Sequence, residues 1–108
     1  MRPSEKTQTG TGSTDPIMLD MVRNPFQVGF GCIVTGTVTY TIEHTFDNLQ
    51  EIAPGSATWF PHPDAALVGA TSSQDGTYAF PVRAFRARVT AGTGSVTVKA
   101  LQAGHRGA

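Results

Sequence analysis

From Phe26 onward the apolar and polar positions recur with a period of two. Phe26, Val28, Phe30, Cys32 and Val34 alternate with Gln27, Gly29, Gly31 and Ile33. Beyond Gly36, Val38, Tyr40, Ile42, His44 and Phe46 alternate with Thr37, Thr39, Thr41, Glu43 and Thr45. Such alternation is the pattern of antiparallel strands with one face on a core and one in water. A single strand across both runs would far exceed the usual ~5–6 residues. A hairpin or sharp bend at Thr35-Gly36 is therefore expected, although the shared parity also permits one bent strand.

Further along, turn chemistry punctuates the chain. Asp47 to Ser56 reads as a loop around Pro54-Gly55, and Ala57 to Phe60 as a short strand that Pro61 ends. Ala65 to Thr71 reads as another short strand, and Gln74-Asp75-Gly76-Thr77 as a turn. Thr77 to Phe80 leads through Pro81 into a strand over Val82 to Thr90. Ala91-Gly92-Thr93-Gly94 marks a second hairpin, and Val96, Val98 and Ala100 alternate with Thr97, Lys99 and Leu101. Six to eight short strands without an amphipathic helix predict an all-β fold, an antiparallel β-sandwich or jelly roll. Its core is expected to take Val28, Phe30, Val34, Val38, Tyr40, Ile42, Phe46, Trp59, Phe80, Phe85, Val89, Val96 and Val98.

Ahead of this domain the pattern is absent. Met1 to Thr14 is Thr, Gly, Ser, Lys and Glu without apolar periodicity, the composition of a flexible arm. A partner or neighbouring subunit is expected to hold such an arm. Asp15 to Phe26 is more apolar, with Pro16 and Pro25 as brackets, and suits a helical turn or an extended segment. The expected organisation is an extended N-terminal arm over 1–24, a sandwich over 25–104 and a polar tail over 105–108.

Composition narrows the function. The 108 residues carry 8 basic and 8 acidic side chains, a formal net charge of zero, and only 15% are charged. An ordinary soluble domain has about 25%. Such a balance gives no basis for bulk nucleic-acid binding, and no apolar run reaches the ~18 residues of a membrane span. Thr, Val and Ile make up about a quarter of the chain, in keeping with strands. The N-terminus has no apolar stretch of the secretory kind.

Candidate chemistry is sparse. Cys32 is the one cysteine and lies on the apolar face, where a thiol is ordinarily packing. His44, His62 and His105 match no zinc spacing. His62-Pro63-Asp64 matches the J-domain tripeptide by chance, because the helices that flank it there are missing here. No carboxylate pair and no nucleophile elbow stand out, so neither an enzyme nor a cofactor is expected. Arg83, Arg86 and Arg88 form the one basic cluster, with Arg86 and Arg88 on one strand face and Arg83 on the other. They suit a solvated strand face, a partner's carboxylates, or backbone phosphate.

Several stretches together carry a likeness. They are Gly36-Thr37-Val38-Thr39-Tyr40-Thr41-Ile42-Glu43-His44-Thr45-Phe46-Asp47, Ala57-Thr58-Trp59-Phe60-Pro61-His62-Pro63, Gly76-Thr77-Tyr78-Ala79-Phe80-Pro81-Val82-Arg83-Ala84-Phe85-Arg86, and the hairpin Val89 to Val98. In order and style, over Pro25 to Gln102, the chain resembles the small jelly-roll capsid decoration (cement) proteins of tailed bacteriophages. The resemblance implies a virion structural protein on the outer surface of the head. It would clamp neighbouring major capsid protein subunits, as a dimer or trimer, with no nucleic acid or membrane partner. The resemblance carries over no binding residues; from the sequence itself, contacts are expected through the arm, Met1 to Val22, with Ile17, Met18 and Met21, through loops or edges of the sandwich, and through Arg83, Arg86 and Arg88. On this expectation, deleting residues 1–14 leaves the sandwich folded and weakens capsid binding. Two other readings stand beside it: a tail- or fibre-associated protein, and a carbohydrate-binding module stacking Trp59, Tyr78 or Tyr40 on a sugar.

Overall fold

A computed structural model of the chain describes residues 4–19 and 27–103. Among these residues nine strands form two antiparallel sheets packed face to face: β1 (Ser4–Thr9), β2 (Gly12–Ser13), β3 (Ile17–Met18), β4 (Gln27–Thr35), β5 (Val38–Thr45), β6 (Trp59–Pro61), β7 (Gln74–Tyr78), β8 (Ala84–Gly92) and β9 (Ser95–Ala103). One sheet, here sheet A, has the order β1-β9-β4-β7; the other, sheet B, has β2-β8-β5-β6, with β3 also on β8. Every connection but β2–β3 and β5–β6 changes sheet, so the chain wraps as two interleaved Greek keys, the jelly-roll order.

The two alternating runs thus lie in different sheets. At Gly36 (φ +79) the chain passes from β4 to β5, and at Gly92 (φ +101) it leaves β8 for β9. These corners cross each other. A Cβ on Gly92 would collide with the Thr37 carbonyl, and one on Gly94 with that of Thr35. The expected hairpins are therefore inter-sheet corners. Glycine is needed there both for positive φ and for backbone-to-backbone approach.

The inward parity of both sheets builds one core. Val28, Phe30, Val38, Tyr40, Ile42, Phe85, Val89, Val96 and Val98 are buried as the alternation implies. Ile17, Cys32, Leu67, Tyr78, Val82 and several alanines join them. Val34 packs at the core's margin, whereas Phe46 and Phe80 are exposed and Trp59 lies on the outer side of sheet B. Two local expectations are corrected. Gln74 to Thr77 is strand, not turn: Gly76 lets β7 lie against Leu67 and Phe30, where a Cβ would clash. Ala65 to Thr71 holds a 3₁₀ turn, Ala65–Leu67, because the Asp64 carboxylate accepts from the Ala66 N–H and starts it.

An extended N-terminal arm is not confirmed. Ser4–Thr9 is the edge strand of sheet A, paired with β9 from Ser4↔Ala100 to Thr9↔Ser95. Gly12-Ser13 and Ile17-Met18 both pair with β8, so this segment is laced into both sheets. Pro16 lacks an N–H and interrupts the pairing. Buried Thr14 bridges the gap: its N–H donates to the Ala87 carbonyl at 2.9 Å, and its Oγ1 accepts from the Ala87 N–H at 3.1 Å. Composition missed this because β1 is polar on both faces. Its order comes from the unpaired edge of β9, a tertiary cause that no local pattern reports. Deleting residues 1–14 therefore removes strands from the fold itself.

Candidate interaction surface

At the end of the sandwich away from the glycine corners, the space between the sheets opens onto aromatic rings. His44 sits at its floor. Register pairs it with Phe60 on β6 and Phe85 on β8, so all three face inward. Phe60 stacks on the imidazole at 5.9 Å, while Phe46 and Phe80 meet it edge-on, each at 5.5 Å. Below, buried Tyr78 closes the floor, and its hydroxyl pairs with His44 Nδ1 at 3.0 Å. The three phenylalanines are 50%, 45% and 38% exposed (Phe46, Phe60 and Phe80), although sequence parity points Phe46 and Phe80 at the core. Phe46 and Phe80 stand just beyond the ends of β5 and β7, and Phe60 is the middle residue of the short β6.

Electrostatics keep this mouth apolar. Burial, and secondarily electrostatic coupling to nearby His62, lower the His44 pKa from its ordinary value. The imidazole is therefore uncharged at neutral pH. His62 itself is spent on the fold: its Nε2 faces the Thr77 carbonyl at 2.8 Å, and its Nδ1 accepts from the Asp64 N–H at 3.0 Å. The tautomer with its proton on Nε2 satisfies both. Burial pushes the Cys32 thiol up to about 12, which removes the thiolate a nucleophile needs. Among the described residues no group of three or more His, Cys, Asp or Glu side chains is placed to hold a metal ion.

The arginine cluster lies on the outer face of sheet B. Arg86 Nε and Nη2 both reach Glu43 Oε1 at 3.1 Å, and the guanidinium lies 4.0 Å from the centre of the Trp59 ring. Trp59 Nε1 in turn donates to the Pro54 carbonyl at 2.9 Å. Arg88 reaches Glu43 Oε2 only at 3.8 Å and is mostly exposed. Arg83 lies off this ladder, where its backbone accepts from the Leu19 N–H and donates to the Thr45 carbonyl. The three arginines thus differ: Arg86 is an internal partner, Arg83 borders a shallow hollow with Met18, Leu19, Asn48 and Gln50, and Arg88 faces solvent.

Of the arm residues singled out, Ile17 is buried in the chain's own core and offers no surface. Met18 is exposed on the outer side of β3. Met21 lies outside the described residues. Among the rings considered for sugar stacking, Tyr40 and Tyr78 are buried and Trp59 carries Arg86 on one face. Sequence reasoning assigned Phe46 and Phe80 to the core and overlooked Phe60. The usable signal was the pairing of these rings with strand ends at Asp47, Pro61 and Pro81.

Comparison with known protein families, with curated proteins and with solved structures found no match to this chain.

Proposed function

We propose that this chain is a virion structural protein, a capsid decoration protein that seats on the outer surface of a tailed-phage head and bridges major capsid protein subunits. The observation that carries the reading is the aromatic mouth. Three clustered phenylalanines, each at least a third exposed, surround an uncharged histidine at one end of a closed jelly roll. Contiguous apolar surface of this kind marks an interaction site. The resemblance of the strand segments to decoration proteins supplies the partner. With residues 4–18 committed to the sheets, contact through a free arm gives way to contact through the body of the sandwich. The mouth meets apolar capsid side chains; Arg83 and Met18 add polar and apolar contacts near it, and Arg88 adds a charge farther along the outer face of sheet B.

The test is co-sedimentation of the protein with heads of the phage that encodes it, joined to electron microscopy of those virions. Wild-type protein is expected on the head, and Phe60→Ser combined with Phe80→Ser is expected to weaken head binding by about tenfold or more. The melting temperature of the variant establishes that it is folded. Density on the tail, or undiminished binding by the folded variant, would overturn this reading.

A further inference from the structure

We propose that the outer face of sheet A is a self-association surface on which a second copy of this chain seats, about a twofold axis running along β4. The starting point is a pair of glycines that the fold does not require. Gly29 and Gly31 occupy outward positions in the middle of β4, an interior strand of its sheet. Neither has a positive φ, and a Cβ on either would meet nothing within 4 Å. They differ from Gly76, Gly92 and Gly94, where a Cβ would strike the chain's own atoms. Glycine in a strand interior weakens the strand, and where no bend or internal contact explains it, it marks close approach by another molecule.

The surroundings of the two glycines identify that molecule. Register places three rows across the outer face. Glu5, Lys99, Gly31 and Asp75 form the first; Leu101, Gly29 and Thr77 the second; Thr7, Thr97 and Ile33 the third. Ile33 and Leu101 are two of the exposed large apolar side chains, at 46% and 59%. Among the described residues no ion pair joins Lys99 or Asp75 to any partner within the chain.

A twofold axis along β4 lays β9 of one copy over β7 of the other. Lys99 of each copy then faces Asp75 of the other, Leu101 faces Thr77, Ile33 meets Ile33, and glycine lies over glycine. Charge rejects three alternatives. An axis along β9 sets Lys99 against Lys99. One midway between β9 and β4 sets Glu5 against Asp75. One across the strands at Gly31 sets Lys99 on Lys99 and Asp75 on Asp75. Packed sheets cross at about 30°, so the match holds best near β4, where these residues are. The bare glycines let the two faces approach closer than the usual ~10 Å, within reach of the flanking pairs. Such an interface is isologous and closes as a dimer.

Nothing in this surface depends on a capsid, so virions lacking the protein would leave it standing. The test is sedimentation velocity of the full chain between about 1 and 100 µM, a range that detects a micromolar dimer. The wild type is expected to dimerise. Gly31→Val is expected to be monomeric with an unchanged or higher melting temperature, because its Cβ enters open space. In a Glu5→Gln background, which removes the carboxylate beside Lys99, Lys99→Glu or Asp75→Lys alone is expected to weaken the dimer about tenfold. The two together are expected to restore it to within about threefold. A wild type that stays monomeric throughout, or a dimer that Gly31→Val leaves intact, overturns the proposal.

Discussion

The two sheets of this jelly roll present opposite kinds of outer surface. Sheet B is finished from within: Glu43 is bonded by Arg86, Arg86 is roofed by Trp59, and the Trp59 indole is tied to the loop at Pro54. Sheet A is bare. Its middle carries Gly29 and Gly31, its apolar side chains Ile33 and Leu101 stand in water, and Lys99 and Asp75 have no ion pair among the described residues. Both faces have the same strand architecture, so the contrast is one of side-chain bookkeeping. A face whose charges are neutralised internally has little left to offer a partner, while an unpaired, flat face keeps its charges for one. The arginines that looked most like an interface in sequence belong mainly to the finished face.

That contrast is breakable by mutation. Glu43→Ala is expected to have the largest effect, destabilising by about 2–3 kcal/mol, because Arg86 is left mostly buried without its carboxylate. Chemical denaturation measures it. Trp59→Ala comes next, at about 2 kcal/mol, since it removes the ring over Arg86 together with its packing on sheet B. On the bare sheet the sign reverses. Gly31→Val is expected to stabilise the monomer by about 0.5–1 kcal/mol, through better strand propensity with no clash. A fall in stability would show that the glycine serves the fold, not a partner. The smallest effect belongs to Arg88→Ala, within about 0.5 kcal/mol, because its 3.8 Å contact with Glu43 is solvent-screened.

Much of the fold was legible because it rests on period-two alternation. That pattern located the strand pair around Gly36, the strand before Gly92 and the last strand, and it named most of the buried set. It did not distinguish a hairpin within a sheet from a corner between sheets, since both need glycine and the same parity. Nor did it find β1, whose order comes from the open edge of β9 and not from its own residues. Thr14 replacing a backbone partner across Pro16 is likewise a contact that exists only after folding. Parity correctly turned Phe46 and Phe80 inward, but burial needs an opposing sheet, and among the described residues none covers the mouth. The surface of sheet A was visible in Gly29-Phe30-Gly31. Its meaning needed the structure, which shows that no atom of the described residues comes within 4 Å of a Cβ built at those glycines.

Carboxyl labelling of the full chain by a carbodiimide, read residue by residue by mass spectrometry across protein concentration, tests the contrast between the sheets most directly. Asp75 is expected to label readily in dilute solution and to become protected as the concentration rises, while Glu43 is expected to be protected at every concentration by Arg86. Asp75 labelling that is independent of concentration, or Glu43 labelling that falls in its place, would contradict the account.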